Sequence, residues 1–389
     1  MKSQKSIRVG IVGVGNNASA LVQGVYHYTQ NVDFEDLQPN YQGILFPKLC
    51  GYKIQDIEFS VAFDVDSRKI GRDLGSAIFC PPNNYPRVFN EDIPTGAIVR
   101  PAPVLDGVPQ CLTGMVSVSE DSNGVGSDDA ELESFFNYCT AAVIDTNTSV
   151  LLNFLPSGSD QATRFFARVA AAARAAFVNC TPSPAVHDES ILRLFEEAKT
   201  PLLGDDLESH FGSSLIHRTL LKALEQRGLE IVHSYQVNLG GNTDFLNLSH
   251  RSEAKKKSKM KAISTTASSE RVNILPSGGF LPGLGDRKVG YFVIEGRGWL
   301  NMPVMLDVKL QVQDSSNAAG VIIDLIRIAQ AGVDRGIAGD LPLSYYFKNP
   351  LSEKLSTEDA LELVCEFDRG EDSQKLERVV HVAQANARH

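Results

Sequence analysis

The sequence predicts an α/β protein in which a doubly wound parallel sheet is interrupted by a second, α+β domain. Apolar strand patterns alternate with helix patterns up to about residue 203, which is typical of a parallel sheet covered on both faces. After Gly204 the pattern changes to segments in which apolar and polar residues alternate. A strong helix pattern follows at residues 318–332. We therefore expect the chain to leave the parallel sheet near residue 204 and to rejoin it after about residue 315.

Each predicted element follows from a local pattern. Short apolar runs bounded by turn residues predict strands at residues 6–12, 58–63, 141–144, 150–154, 177–179 and 201–203. Patterns with a period of about 3.6 residues predict helices at residues 18–28, 160–176, 213–227 and 318–332. Apolar and polar residues alternate in the second domain, which predicts an antiparallel sheet with one covered face from residues 230–239, 290–295 and 305–312. The tail, residues 352–389, is charged and helical in pattern.

The composition excludes several classes of protein. The 389 residues carry a net charge of −10, so the chain is a poor partner for nucleic acid, although a local cationic pocket is compatible with that charge. None of the six cysteines forms a Cys-x-x-Cys pair, which argues against a zinc site and a disulfide framework. No run reaches the roughly 18 apolar residues of a membrane span, and no leader with a separate apolar core precedes the first strand. We therefore expect a cytoplasmic protein.

A glycine turn joins the first predicted strand to the first predicted helix. Its sequence GVGNNA, which starts at Gly13, matches G-x-G-x-x-A. Gly13 permits the tight turn, Gly15 lets the backbone approach a pyrophosphate, and Ala18 packs the helix against the strand. The N–H groups at the start of the helix, near Asn16 and Asn17, attract phosphate. The pattern predicts a dinucleotide site, and a plain glycine turn in some other α/β protein is the alternative.

An acidic residue at the end of the second strand completes such a site by binding the adenosine ribose. Asp64 holds this position. It lies about 50 residues after the glycines, whereas the usual spacing is about 20, and the irregular segment 29–56 accounts for the difference. Asp66 is a competing candidate, and either carboxylate could instead cap the helix that follows.

Acidic and basic clusters mark the second half of the chain. Asp205 and Asp206 follow a predicted strand, where adjacent carboxylates indicate a metal site or an oriented lysine, and helix N-capping is the alternative. In the cluster AKKKSKM, Lys255 and Lys259 share one face if the segment is helical. Neighbouring ammonium groups lower each other's pKa, which suits acid–base chemistry, although a solvated face or a phosphate-binding patch fits the run as well.

Motifs in a fixed order connect these clusters. They are GIVGVGNNASALVQG, AFDVDSRKIG, LLNFLPSGSDQA, FVNCTPSP, PLLGDDLES, SYQVNLGGNTDFLNL, EAKKKSKM, GDRK, QDSSNAAGVIIDLIR and SYYFKNP. Together they resemble the inositol-phosphate synthase family, especially its bacterial and archaeal branch, over residues 5–350. Collinear motifs are far more specific than any one of them.

The resemblance implies NAD-dependent cyclisation of glucose 6-phosphate to an inositol phosphate. Carbon 5 is oxidised by bound NAD, carbon 6 loses a proton, the enolate attacks the aldehyde at carbon 1, and the hydride is returned, so no net redox change occurs. The implied architecture is a Rossmann-type NAD-binding domain over residues 1–204, an α+β catalytic and tetramerisation domain over 205–315, and a return to the Rossmann domain with a C-terminal tail over 316–389. The implied assembly is a homotetramer.

The resemblance also assigns roles to residues of this chain. It implies that the catalytic residues are Lys255, Lys259, Lys288, Lys348, Asp206 and Asp314. It implies that the cofactor contacts are Gly13, Gly15, Asn16, Asn17, Asp64, Asn153, Ser157, Thr181, Asp206, Asp244 and Ser315. It implies that the substrate contacts are Asn242, Asp244, Asn247, Lys255, Lys288 and Lys348. The candidates to hold a monovalent or divalent cation are Asp206, Asp244 and Asp314.

Simpler interpretations exist for several of these residues. Lys288 and Lys348 could be exposed turn lysines, and Asp314 could cap the helix that starts near residue 316.

The sequence also departs from the family pattern. Where the family has G-D-D-x-K-S-Q, Glu208 replaces the lysine and His210 the glutamine. Within the lysine cluster, Ala254 and Lys257 stand where the family tends to have serine and isoleucine. The charge reversal at Glu208 either lies on the solvent side or marks a paralogue that cyclises another sugar phosphate, for example fructose 6-phosphate to a five-membered cyclitol. An ordinary NAD(P) dehydrogenase and a non-enzymatic NAD-binding protein are the further alternatives.

Overall fold

Two sheets organise the part of the chain that the structure describes. The computed structural model describes residues 5–31, 42–122, 129–250, 269–341 and 343–370. These residues form one seven-stranded sheet and one four-stranded sheet. No helix within them is long and apolar enough to cross a membrane.

The larger sheet is parallel throughout. Its strands are β1 (Ile7–Val12), β2 (Ile57–Asp64), β3 (Val99–Pro101), β4 (Val150–Asn153), β5 (Ala176–Asn179), β6 (Pro201–Leu203) and β11 (Gly339–Asp340). Their order is β3-β2-β1-β4-β5-β6-β11, so the winding direction reverses between β1 and β4. This is the Rossmann-type order, in which ligands bind at the carboxyl ends of the strands beside the reversal point. The predicted fold class is therefore confirmed.

Helices cover both faces of the larger sheet. The helices are α1 (Asn16–Asn31), α2 (Leu74–Ala77), α3 (Asp129–Asp145), α4 (Asp160–Ala172), α5 (Glu189–Ala198), α6 (Ser213–Gln226), α7 (Thr243–His250), α8 (Asp314–Asp334) and α9 (Thr357–Arg369). Val9 and Leu152 of the sheet belong to a core shared with α1, α8 and α9. Leu151 and Phe177 belong to a second core shared with α3, α4 and α5. Because both faces are buried, the strands are apolar at consecutive positions.

The smaller sheet is mixed rather than antiparallel. Its strands are β7 (Glu230–Gly240), β8 (Val272–Phe280), β9 (Arg287–Arg297) and β10 (Pro303–Gln313), in the order β10-β9-β7-β8. β9 is antiparallel to β7 and β10, but β8 is parallel to β7. The prediction of a wholly antiparallel sheet was wrong because the chain between β7 and β8 contains α7 and is long enough for a crossover. The predicted covered face is confirmed, since Ile231, Ile274 and Ile294 are buried against α6.

Three element predictions need correction. Residues 141–144, predicted as a strand, form the end of α3, where Cys139, Ala142 and Val143 are buried at the i, i+3, i+4 spacing of a helix face. The helix predicted to reach residue 176 ends at Ala172. β3 was not predicted, since three residues carry too little pattern. In the tail, α9 agrees with the helical pattern, and residues 371–389 lie outside the described residues.

The chain returns to the larger sheet after building the smaller one. It leaves at β6 and comes back through α8 to add β11 beside β6. Residues 346–349 then run antiparallel to residues 205–208, with Leu207 bridged to Phe347. This return places segments far apart in the sequence at one edge of the larger sheet.

Candidate active site

The glycine turn lies between β1 and α1, as predicted. Gly13 has φ +88°, and a Cβ atom there would lie 3.1 Å from the carbonyl oxygen of Phe154, so a side chain would be strained and crowded. A Cβ atom on Gly15 would meet no protein atom within 4 Å. Within the described part of the chain the space beside Gly15 is therefore open, and it lies at the N-terminal end of α1, a kind of position that attracts phosphate.

Asp64, at the end of β2, contacts the backbone of this turn. One of its carboxylate oxygens accepts a hydrogen bond from Val14 N at 2.8 Å, and Lys69 Nζ lies 3.7 Å from the same oxygen. The carboxylate of Asp66 instead accepts a hydrogen bond from Arg68 Nε at 2.8 Å, and its side chain is 1% exposed. Asp64 is therefore the better candidate for a ribose contact, and Asp66 holds the loop that follows β2.

An open cleft of about 1350 Å³ runs along the carboxyl ends of the strands; we call it the glycine-turn cleft. Among the predicted site residues, those that line it are Gly13, Gly15, Asn16, Asn17, Asp64, Ser157, Thr181, Asn242, Asp244, Asp314 and Ser315. They come from the carboxyl-end edge of the larger sheet, from the turn after β7, from α7 and from the start of α8, so the cavity lies between the larger sheet and the segments that follow the smaller sheet's strands.

A second cavity of about 670 Å³ adjoins this cleft; we call it the lysine pocket. It is lined by Asp206, Lys288 and Lys348 and shares Asp244 and Asp314 with the cleft. The structure thus brings residues predicted as catalytic to the end of the cleft near the second sheet.

Each lysine of the pocket contacts a carboxylate. Lys288 Nζ donates to Asp314 Oδ1 at 2.9 Å, and Lys348 Nζ donates to Asp206 Oδ1 at 2.8 Å. The side chains are 17% and 20% exposed in the first pair and 11% and 2% exposed in the second. Neither lysine is an exposed turn residue, so the simpler interpretation of both was wrong.

Asp286 links three residues that line the glycine-turn cleft, although we did not predict it as a site residue. Its carboxylate accepts hydrogen bonds from Asn16 Nδ2 at 2.9 Å, Asn242 Nδ2 at 3.2 Å and Ser315 Oγ at 2.7 Å. Burial raises the pKa of Asp286, and the nearby Asp314 carboxylate raises it further. The residue stands in the GDRK motif, of which only Lys288 was interpreted. Its partners lie in distant parts of the chain, which no local pattern reveals.

Asp205 orients the segment that carries Lys348. Its carboxylate accepts hydrogen bonds from Asn349 Nδ2 at 2.9 Å, from Ser183 N at 3.0 Å and from Asn179 Nδ2 at 3.2 Å. Burial raises the pKa of Asp205. The helix-cap alternative was wrong for this pair of aspartates, because α6 begins only at residue 213.

Two predicted contact residues line neither cavity. Asn153 is fully buried, and its Nδ2 donates to Thr163 Oγ1 and Asn179 Oδ1, so it links β4 to its neighbours rather than facing the cleft. Asn247 is also fully buried and donates to the carbonyl oxygen of Ser157 at 2.8 Å. In this structure both side chains support the cavity wall, and their contact with a ligand stays a prediction.

Comparisons with known proteins add independent information. A profile of the family described as myo-inositol-1-phosphate synthase matches residues 212–315. The inositol-3-phosphate synthase of Mycolicibacterium smegmatis is 40% identical over 356 residues, which cover 88% of this chain and 93% of that enzyme. This chain belongs to the myo-inositol-1-phosphate synthase family. The resemblance inferred from the collinear motifs is thereby confirmed.

Solved structures show the same architecture. The crystal structure of Ari2 is 37% identical, covers 94% of this chain and 98% of its own, and superposes with a TM-score of 0.76. A myo-inositol-1-phosphate synthase-related protein from Thermotoga maritima is 23% identical and reaches a TM-score of 0.75, which supports the fold alone.

The departure from the family pattern at Glu208 lies inside the protein. Glu208 is 7% exposed and lines the lysine pocket. Its carboxylate lies 3.0 Å from Arg218 Nη1 and 2.6 Å from Lys354 Nζ. The charge reversal is therefore compensated by two cations, and the interpretation that it faces solvent was wrong. His210 is half-buried, and burial lowers its pKa.

The predicted cation site and the predicted lysine cluster remain to be placed. The described residues contain no group of three or more acidic, histidine or cysteine side chains that could hold a metal ion. Asp206, Asp244 and Asp314 thus do not form such a group. Lys255 and Lys259, with Ala254 and Lys257, lie outside the described residues.

Proposed function

We propose that this chain is an NAD-dependent cyclase that converts glucose 6-phosphate to an inositol phosphate without net redox change. One observation carries the proposal: the lysine pocket, with its two lysine–carboxylate pairs, shares wall residues Asp244 and Asp314 with the glycine-turn cleft. The family relationship supports the same reaction. A redox cofactor in the cleft and a sugar phosphate in the pocket would then meet at their shared wall, near Asp244 and Asp314.

The glycine-turn cleft fits NAD. The open space over Gly15 accommodates a pyrophosphate at the start of α1, and Asp64 stands where the adenosine ribose is bound in this fold. Ser157, Thr181 and Ser315 supply hydroxyl groups along the cleft. When bound, NAD supplies the reversible hydride acceptor for carbon 5 of the sugar.

The pocket residues supply charge and proton transfer. An ammonium group beside developing negative charge stabilises an enolate or an aldol oxyanion. Lys288 and Lys348 are held for that task by Asp314 and Asp206, which fix the direction of each Nζ atom. The same ammonium groups can bind the substrate phosphate and hand a proton to a sugar oxygen. We propose the same role for Lys255 and Lys259.

A second candidate function follows from Glu208. Its buried carboxylate lines the lysine pocket at a position where the family has a lysine. A different charge in the wall favours a substrate other than glucose 6-phosphate, such as fructose 6-phosphate, which would yield a five-membered cyclitol phosphate. Incubation with NAD and each sugar phosphate, followed by NMR of the product, separates the two. Accumulation of NADH would instead identify an ordinary dehydrogenase.

We also propose a homotetramer assembled through the smaller sheet. Among the described residues, β10 pairs only with β9, which leaves one long edge open. Trp299, Leu300, Met302 and Met305 beside that edge are 85%, 73%, 62% and 68% exposed. Exposed apolar clusters of this kind mark interaction surfaces. Light scattering after size-exclusion chromatography tests the assembly, and Trp299→Glu should reduce the measured mass.

The domain limits are part of the proposal. The parallel strands β1 to β6 precede the smaller sheet and β11 follows it, which supports a Rossmann domain at residues 1–204 and 316–389 and a catalytic domain at residues 205–315. A cation requirement and the cytoplasmic location stay predictions.

A further inference from the structure

Three charged side chains form a buried cluster behind the lysine pocket. Glu208, Arg218 and Lys354 have side chains that are only 7%, 9% and 7% exposed. They also line a separate cavity of about 660 Å³ on the far side of the pocket wall. Removing three charges from water is costly, and apolar residues of similar volume often stabilise a fold as well or better. Their presence in this wall calls for a role beyond general stability.

Lys354 uses its ammonium group to hold three oxygen atoms. Its Nζ donates to Glu208 Oε2 at 2.6 Å, to the carbonyl oxygen of Ser344 at 2.9 Å and to that of Phe347 at 2.6 Å. An ammonium group has three protons, so this set accounts for all of them. Lys354 therefore fixes the segment 344–347 to Glu208, although it lies seven residues after Phe347 in the chain.

The fixed segment carries Lys348. Lys348 N donates to the carbonyl oxygen of Asp206 at 2.8 Å, and Glu208 N donates to that of Tyr346 at 2.8 Å. Asn349 N donates to the carbonyl oxygen of Asp205 at 3.1 Å. Lys348 and Asp206 thus stand opposite each other in a short antiparallel ladder, and the Glu208–Lys354 contact closes one end of it.

We propose that Lys354 and Glu208 are positioning residues that hold Lys348 Nζ against Asp206 in the lysine pocket. Arg218 Nη1 lies 3.0 Å from the other Glu208 oxygen, an ion-pair contact without hydrogen-bond geometry that balances the buried charge from the second side. Without the Lys354 ammonium group, the carbonyl oxygens of Ser344 and Phe347 lose a shared donor, and the ladder loosens at Lys348. The effect on catalysis rests on the proposed function, whereas the positioning itself does not.

The test compares Lys354→Met with Lys354→Arg in the full-length protein. Methionine keeps the length and apolar stem but removes every donor, whereas arginine keeps the charge and donors and can extend into the adjoining cavity. Lys222→Met is the matched control, because Lys222 makes an ion pair with Glu358 on the surface, where the side chains are 41% and 70% exposed.

Hydrogen exchange provides the readout that needs no substrate. In Lys354→Met we expect the amides of Lys348 and Asn349 to exchange at least about tenfold faster, with unchanged exchange in β1. Lys354→Arg and Lys222→Met should exchange like the wild type. Wild-type exchange at both amides in Lys354→Met overturns the proposal. So does an equal acceleration in β1, because that result indicates general destabilisation.

Kinetics provide the second readout. A misplaced catalytic group lowers the rate by about 100-fold, so we expect kcat of Lys354→Met to fall by about that factor while the Kd for NAD is unchanged. Lys354→Arg should restore kcat to within about threefold of the wild type. An unchanged kcat in Lys354→Met overturns the positioning of Lys348. If the wild-type protein forms no cyclitol from any sugar phosphate, the proposed function fails, and the exchange result still decides the positioning.

Discussion

Gly15→Ala would add one methyl group to the glycine-turn cleft without disturbing the protein. The added Cβ atom would meet no protein atom within 4 Å, although Gly15 lines the cleft. No described residue collides with it, so a loss of binding would report a ligand that approaches the backbone closely. If a pyrophosphate binds there, the variant must lose affinity for NAD while its stability stays within about 0.5 kcal/mol of the wild type.

The magnitude follows from the hydrogen bonds that the methyl group would prevent. A hydrogen bond to a charged group contributes about 1.5–3 kcal/mol. A change of about 1.4 kcal/mol corresponds to a tenfold change in Kd. Displacement of one phosphate oxygen from an N–H group at the start of α1 should therefore weaken NAD binding by about 10- to 150-fold. Isothermal titration calorimetry measures the Kd, and thermal unfolding in the absence of NAD measures the stability.

Gly24→Ala is the matched control on the same helix. Gly24 lies inside α1, and a Cβ atom there also meets nothing within 4 Å, but the residue does not line the cleft. Alanine inside a helix is about 0.5–1 kcal/mol more stable than glycine. This variant should therefore unfold at a slightly higher temperature than the wild type and bind NAD with the wild-type Kd. Equal Kd values for Gly15→Ala and wild type would refute the assignment of the cleft to a pyrophosphate.

Three further substitutions test the site and the core. Lys348→Met should lower kcat by at least about 100-fold, measured from the rate of product formation, because it removes the ammonium group held by Asp206. Asp324→Asn should lower the free energy of unfolding by about 3–5 kcal/mol in urea, because it leaves the fully buried Arg327 without its ionic partner. Burial raises the pKa of Asp340 to about 7 from 3.8. The folded state then binds a proton that the unfolded chain releases, so stability falls as pH rises from about 4 to 7, and Asp340→Asn should flatten that fall.

Each of these predictions has a control in the same chain. Lys222→Met, on the surface, should keep the wild-type kcat. Glu189→Gln breaks an exposed pair with Arg193 and should cost at most about 0.5 kcal/mol. Asp188→Asn should not alter the pH slope between about pH 5 and 7.5, because its pKa is lowered to about 2, mainly by Ser190. A kcat of Lys348→Met at half the wild-type value or more would contradict the first prediction. The second would be contradicted if Asp324→Asn loses no more free energy of unfolding than Glu189→Gln. The third would be contradicted if the stability of Asp340→Asn falls with pH as steeply as that of the wild type.

The parallel sheet and the glycine turn could be predicted because their patterns are local. A buried strand followed by GVGNNA and a helix requires no knowledge of distant contacts, and Asp64 ends the next strand of the same unit. Local pattern failed at residues 141–144, where four apolar residues do not distinguish the last turn of a helix from a strand. It also failed for the direction of β8, which depends on the path of the chain between strands.

The composition of the lysine pocket was predictable only in part. Motif order identified Lys288 and Lys348 together with Asp206 and Asp314. It did not show which carboxylate pairs with which lysine, because Asp206 lies 142 residues from Lys348. Asp286 gained its importance from three donors that converge in space. Asn153 has a polar side chain at a strand end, which is typical of both a ligand contact and a link between strands. Only the structure shows that this side chain is fully buried and bonded to Thr163 and Asn179.

Isotope transfer tests the central claim most directly. Glucose 6-phosphate deuterated at carbon 5 would be incubated with the protein and NAD, and the product examined by NMR and mass spectrometry. If the hydride that leaves carbon 5 returns to the same carbon, the inositol phosphate keeps its deuterium and NADH absorbance stays flat. Accumulation of deuterated NADH, or a cyclitol product that has lost the label, would contradict the account.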